Sequence, residues 1–126
     1  MFLNQIHHIA INASDYQATK KFYVEKLGFE IIRENQRPEK KDIKLDLKLG
    51  NQELEIFIGA IFPKRPSYPE ALGLRHLAFR VADVEATAAW LKRQGIETEP
   101  IRVDDYTGEK MTFFFDPDGL PLEIHE

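Results

Sequence analysis

Residues 6–12 read IHHIAIN and residues 74–80 read LRHLAFR, so a histidine, an alanine and the apolar residues around them recur 68 positions apart. The echo extends well past these stretches. At the same offset Asp15 meets Asp83, Ala18 meets Ala86, Thr19 meets Thr87, and Leu54-Glu55-Ile56 meets Leu122-Glu123-Ile124. Between the blocks Leu45 falls against Phe113 and Leu47 against Phe115, so apolar character agrees there too. The glycines that end the helical stretches, Gly28 and Gly95, stand 67 apart; one residue is lost there and regained before the last strand. Two amphipathic segments of any origin can share apolar positions. Matched His and Glu are different, because hydrophobic patterning gives no reason to place either one. The chain is a repeated module.

Each half reads β-α-β-β-β. Residues 6–12 are short and Ile-rich, a strand pattern. Ser14 and Asp15 are helix-capping types, with Gln17 at capping-box spacing from Ser14, and Tyr16, Thr19, Phe22, Tyr23 and Leu27 follow at helical intervals. Strands are expected at about 29–33, 42–49 and 52–58; the second strictly alternates apolar residues with Lys44, Asp46 and Lys48. The second half repeats this order with strand 75–82, helix 83–94, Gly95, and strands 96–102, 110–115 and 121–125, the last two joined by the turn Asp116-Pro117-Asp118-Gly119. Segment 59–73, with Pro63, Pro66 and Pro69, reads as a linker. The expectation is one α+β domain of two tandem βαβββ modules, about 5–58 and 74–126. They would form a curved, mostly antiparallel sheet around a metal site, with the helices on its outer face.

Composition sets the outer limits. A chain of 126 residues with 43% apolar and 30% charged residues can bury a real core without disulfides. A net charge of −4 gives no reason to expect nucleic acid, and the absence of cysteine excludes thiolate ligands and thiol redox chemistry. No apolar run reaches the roughly 18–20 residues of a membrane span, and MFLNQIHHIA lacks the charged start of a signal peptide. A cytoplasmic protein is expected.

Strand parity then locates the chemistry. Side chains alternate between the two faces of a strand, so His8 and Glu55 oppose their apolar neighbours, as do His76 and Glu123 in the second half. Each half separates its His from its Glu by 47 positions. If the modules pack with approximate twofold symmetry, the four side chains can converge on one divalent ion, with Zn, Ni or Co the first candidates and Fe or Mn further ones. Two octahedral positions would stay open for water or substrate.

HHIAI at 7–11, FYVEKLGFE at 22–30, LEIF at 54–57, LRHLAFRV at 74–81 and DPDGLPLEI at 116–124 together resemble the vicinal oxygen chelate superfamily. That group includes glyoxalase I, bleomycin-resistance proteins, fosfomycin-resistance enzymes, methylmalonyl-CoA epimerase and extradiol dioxygenases. The likeness covers essentially the whole chain. A His-Glu-His-Glu order is similar to glyoxalase I, whereas epimerases of the group usually present Gln second and dioxygenases use three protein ligands. FPKRPSYPEALGLRHLAF further resembles a small bacterial branch of glyoxalase-like proteins. The resemblance implies a lyase or isomerase acting on a hemithioacetal or a similar small substrate with vicinal oxygens, and a homodimer. Glu123 would be the base that moves the proton, with Glu55 second. Glyoxalase I enzymes typically carry an Arg four residues after the first ligand His, directed at glutathione; Asn12 stands there, so the thiol does not transfer. The alternatives are a binding protein of the bleomycin-resistance kind, or another metalloenzyme of the group such as an epimerase, thiol transferase or dioxygenase. Among the remaining polar residues, His7, His125, Arg65, Arg75 and Arg80 read as structural or solvated surface, and Tyr106 as a turn residue.

Overall fold

The computed structural model describes residues 1–126, which divide into two units, Met1–Pro63 and Lys64–Glu126. In the first, β1 (His8–Ala13) leads into helix α1 (Tyr16–Lys20), which continues through a π-helical stretch, Lys21–Lys26. Three strands follow: β2 (Ile31–Arg37), β3 (Asp42–Leu49) and β4 (Gln52–Ile58). In the second, β5 (Leu77–Arg80), α2 (Val84–Arg93), β6 (Arg102–Val103), β7 (Lys110–Phe115) and β8 (Pro121–His125) repeat the order. Each unit builds one mixed four-stranded sheet, β1-β4-β3-β2 and β5-β8-β7-β6. The first and last strands of a module pair in parallel; the other pairings are antiparallel. The fold is therefore α+β, two βαβββ modules in tandem.

Identical residues at the start of each helix make identical caps. The Asp15 carboxylate accepts from the Ala18 amide at 2.7 Å, and Asp83 accepts from Ala86 at 2.9 Å. Thr19 Oγ1 donates to the Asp15 carbonyl at 2.6 Å, and Thr87 Oγ1 to the Asp83 carbonyl at 2.7 Å. The capping residue is thus Asp15, not Ser14. Repetition of Asp, Ala and Thr at one offset is a shared solution to the unsatisfied donors of a helix N-terminus.

The slip between offsets 68 and 67 also has a physical form. The first helix must take up one extra residue, and it does so by widening: Leu27 N–H bonds the Phe22 carbonyl, five residues back, at 2.9 Å. Both helices then stop at a glycine with φ +80, where a Cβ would be strained. The count recovers at the last turn. Leu49 pairs with Gln52 across two residues, whereas the Asp116 amide bonds the Leu120 carbonyl across three. Asp116 holds that longer turn, accepting from the amides of Asp118 and Leu120 at 2.9 Å each. Consequently β3 and β7 still correspond at 67, and Leu45 and Leu47 answer to Thr112 and Phe114, each set facing the same partners on β4 and β8. The alignment of Leu45 with Phe113 and Leu47 with Phe115 is corrected by one residue. Phe113 lies on the other face.

The expected strand 96–102 shrinks to Arg102–Val103. Pro100 cannot donate to a ladder, and Thr112 Oγ1 takes the carbonyls of Glu99 and Pro100 at 2.7 and 3.3 Å. Only Glu99 N–H still reaches β7, bonding the Phe113 carbonyl at 2.8 Å. Each sheet packs one face against its helix. Ile11, Leu45, Leu47, Leu54 and Ile56 are buried in the first unit with Phe22 and Tyr23 of its helix. Leu77, Phe114, Leu122 and Ile124 are buried in the second, where α2 packs against β7 and β8.

Two outcomes test this account. Asp15→Ala and Asp83→Ala should each cost about 1 kcal/mol in urea unfolding, and the losses should add because the caps share no partner. At the β2–β3 hairpin, the Arg37 guanidinium bonds both Asp42 oxygens at 2.7 Å and holds that carboxyl below its usual range. A depressed folded pKa contributes stability above the unfolded value near 3.9, which is lost as pH falls through the folded one. Arg37→Gln should return the Asp42 titration, followed by carboxyl NMR, to the ordinary range and flatten the acid limb of the stability curve.

Candidate functional site

Burial of alternate residues fixes where the polar ones point. On β4 Leu54, Ile56 and Ile58 are buried in the core, which turns Glu55 to the opposite face; on β8 Leu122 and Ile124 do the same for Glu123. On β1 Ile11 and Ala13 are buried while His8, Ala10 and Asn12 are exposed. The parallel pairings β1–β4 and β5–β8 then bring each histidine to its glutamate. His8 Nδ1 lies 3.5 Å from Glu55 Oε2, and His76 Nε2 lies 3.1 Å from Glu123 Oε2. Both glutamates are largely buried, with side chains 12% and 10% exposed, while the histidines are more open.

These pairs suit a shared divalent ion. Ligand atoms about 2.1 Å from one ion, at angles between octahedral and tetrahedral, stand roughly 3.0–3.4 Å apart, close to both observed separations. Imidazole nitrogen with carboxylate oxygen is also the donor set such ions prefer. The structure gathers no group of three or more His, Asp or Glu side chains that could hold a metal ion.

The surroundings of the two pairs differ. Next to Glu55, Asp46 is completely buried and carries two cations: Arg33 Nε at 3.0 Å and Lys44 Nζ at 2.8 Å. Arg33 also bonds Glu53 at 2.6 Å, and Lys44 reaches Glu55 Oε1 at 3.3 Å. The hydrogen bond to Asp46 is the main reason that both Arg33 and Lys44 hold their protons more tightly than usual; Glu53 adds to the effect on Arg33 and Glu55 to that on Lys44. Patterning alone reads Lys44, Asp46 and Lys48 as one solvated face. A Lys-x-Asp run on the strand beside the glutamate was the available signal that this face is an ion-pair network.

Around Glu123 the face is aromatic. Phe113 is its cross-strand partner, meets the His76 ring edge-on at 5.1 Å, and carries the Arg102 guanidinium over its own ring at 5.4 Å. His125, expected at the surface, is instead half-buried and fixed. Its Nδ1 lies 2.6 Å from the Glu126 carbonyl and its Nε2 3.2 Å from Asp104. The Glu126 carbonyl first, then Asp104, raise its pKa above the ordinary histidine value. Asp104 is lowered in turn, chiefly by the Tyr106 amide and next by His125. This anchors the 104–109 turn, at whose tip Tyr106 is fully exposed. His7 stands against His8, with their Nδ1 atoms 2.9 Å apart. Arg75 and Arg80 are exposed, and Arg65 donates to the carbonyls of Leu74 and Arg75.

Comparison with known proteins agrees with this architecture. The family model described as Glyoxalase/Bleomycin resistance protein/Dioxygenase superfamily matches residues 5–124. The crystal structure of the glyoxalase family protein from Enterococcus faecalis is 77% identical, covers 100% of both chains and superposes with a TM-score of 0.98. The uncharacterized protein YwkD of Bacillus subtilis (strain 168) is 54% identical over 100% of this chain and 99% of its own. The probable lactoylglutathione lyase, chloroplastic, of Arabidopsis thaliana is 30% identical over 94% of this chain and 35% of its own length.

Proposed function

The chain belongs to the Glyoxalase/Bleomycin resistance protein/Dioxygenase superfamily, and on that premise we propose that it is a metal-dependent, glyoxalase I-like lyase or isomerase. His8, Glu55, His76 and Glu123 are the ligands of one divalent ion, with Zn, Ni or Co favoured over Fe or Mn. The substrate is a hemithioacetal or a similar small molecule with two neighbouring oxygens. The observation that carries this reading is the recurrence of the His–Glu pair: one in each module, at one sequence separation, on the polar face of equivalent strands. The likeness to a lactoylglutathione lyase supports the reaction class. Glutathione itself is not supported, since the exposed Asn12 occupies the place where glyoxalase I enzymes present an arginine.

When bound, the ion supplies Lewis acidity toward the two substrate oxygens. The remaining work falls to the chain. Glu123 removes a proton from one carbon and returns it to its neighbour, an isomerisation with no net change in oxidation state. The histidines are nitrogen donors, and Phe113 stands beside His76 and Glu123. The same reading carries a homodimer and a cytoplasmic location.

The test begins with metal. Protein reloaded with Ni²⁺, Co²⁺ or Zn²⁺ and dialysed should retain about one ion per chain, measured by elemental analysis. Assayed against hemithioacetals of several thiols, with a ring-cleavage control, it should turn over at least one. Glu123→Ala should keep its circular dichroism and lose activity by at least about 10²-fold. Full activity in that variant rejects Glu123 as the base. No retained metal after reloading rejects the enzyme and leaves a small-molecule binding protein in its place.

A further inference from the structure

The sequence repeat makes Glu55 and Glu123 equivalent; their surroundings do not. Strand pairing assigns each position of the first module its counterpart in the second. Asp46 faces Glu55 across β3 and β4, and Phe113 faces Glu123 across β7 and β8. One step along, Lys44 pairs with Phe57, whereas Met111 pairs with His125. The module that carries Glu55 therefore places a buried carboxylate and an ammonium where the other places Phe and Met. Lys44 Nζ is within hydrogen-bonding distance of both Asp46 oxygens, at 2.8 and 2.9 Å, and lies 3.3 Å from Glu55 Oε1. Asp46 is fully buried and Lys44 only 24% exposed, so the ammonium has little freedom to swing away. Glu55 Oε1 is thereby engaged, and Oε2 is the oxygen turned toward His8. Glu123 offers Oε2 to His76, with no lysine or arginine within ion-pair distance of either oxygen.

We infer that Lys44 is a positioning residue that divides the work between the two glutamates. It holds Glu55 through one oxygen, so that Glu55 is a fixed, one-oxygen ligand and Glu123 is the carboxylate free to move and carry the proton. The inference rests on the metal reading proposed above and deepens it. Asp46 and Arg33 belong to the same device. Asp46 anchors Lys44 from beneath, and Arg33, itself tied to Glu53, completes the charge balance of the buried carboxylate. An ammonium so close to a ligand oxygen also competes with a divalent ion for that carboxylate, which lowers affinity as the cost of fixing its geometry.

The probe is Co²⁺ alone, titrated into wild-type protein and Lys44→Met against a competing chelator, with visible absorption read on the loaded protein. Release of Oε1 should let Glu55 bind through both oxygens. Affinity should then rise by about tenfold, and absorption per cobalt should fall as the coordination number increases. Lys44→Arg should behave like wild type. A merely structural lysine would change the unfolding midpoint and leave the cobalt spectrum of the folded protein alone. If Lys44→Met does not fold, Lys44→Met/Asp46→Asn removes the orphaned buried charge as well and is measured in its place. An unchanged spectrum and affinity in the folded variant overturns the inference. A wild-type protein that binds no Co²⁺ overturns the metal reading beneath it instead, so the two failures are distinct.

Discussion

The alternation of side chains along β1, β4, β5 and β8 is the constraint on which everything else depends. Leu54 and Ile56 are completely excluded from solvent, as is Leu122. Burying such side chains contributes roughly 1.5–3 kcal/mol each, and a one-residue slip of register would turn all of them outward. The core therefore fixes the direction of Glu55 and Glu123 with an energy that no surface interaction could match. The strand face on which His8, Glu55, His76 and Glu123 stand is set in this way before any side-chain contact, such as that of Lys44 with Glu55, is made. They stand where they do because their neighbours cannot stand anywhere else.

The same reasoning explains what could be read without coordinates. Hydrophobic periodicity and a repeated His and Glu were sufficient to give the βαβββ order, the limits of β3, β4, β7 and β8, and the strand face shared by His8 with Glu55 and by His76 with Glu123. What escaped were features whose cause is not periodic. The π-helical widening around Leu27 and the longer Asp116–Leu120 turn each concern one residue, and apolar residues on both sides of β7 allowed two alignments. Phe113 was misassigned for that reason: a run of three phenylalanines carries no parity. The strand proposed for 96–102 failed because Thr112 competes through its hydroxyl for carbonyls that a ladder would use.

Asp46 is the instructive omission. In IKLDLKL it looks like one polar position among three on a solvated strand face, yet it is completely excluded from solvent. A buried carboxylate is tolerated only when paired, and Arg33 and Lys44 meet that demand from β2 and from β3 itself. Pairing across strands cannot be seen from one strand's alternation. It becomes legible only once the β2–β3 register places Arg33 opposite Asp46.

The repeat places two glutamates on equivalent strands, and two carboxylates in identical surroundings would be poorly suited to the different roles proposed for them. Under the reaction proposed above, one group keeps its geometry while the other approaches the substrate, takes a proton and gives it back. Backbone symmetry supplies two glutamates in equivalent places, and only the residues around them can make their roles different. With Met111 and Phe113 in place of the polar pair, Glu123 has no lysine or arginine within ion-pair distance, whereas Asp46 and Lys44 tether Glu55. The strand register is the same in both modules, with Asp46 opposite Glu55 and Phe113 opposite Glu123. Side-chain divergence at those positions can therefore assign chemistry without disturbing the register that holds both modules together.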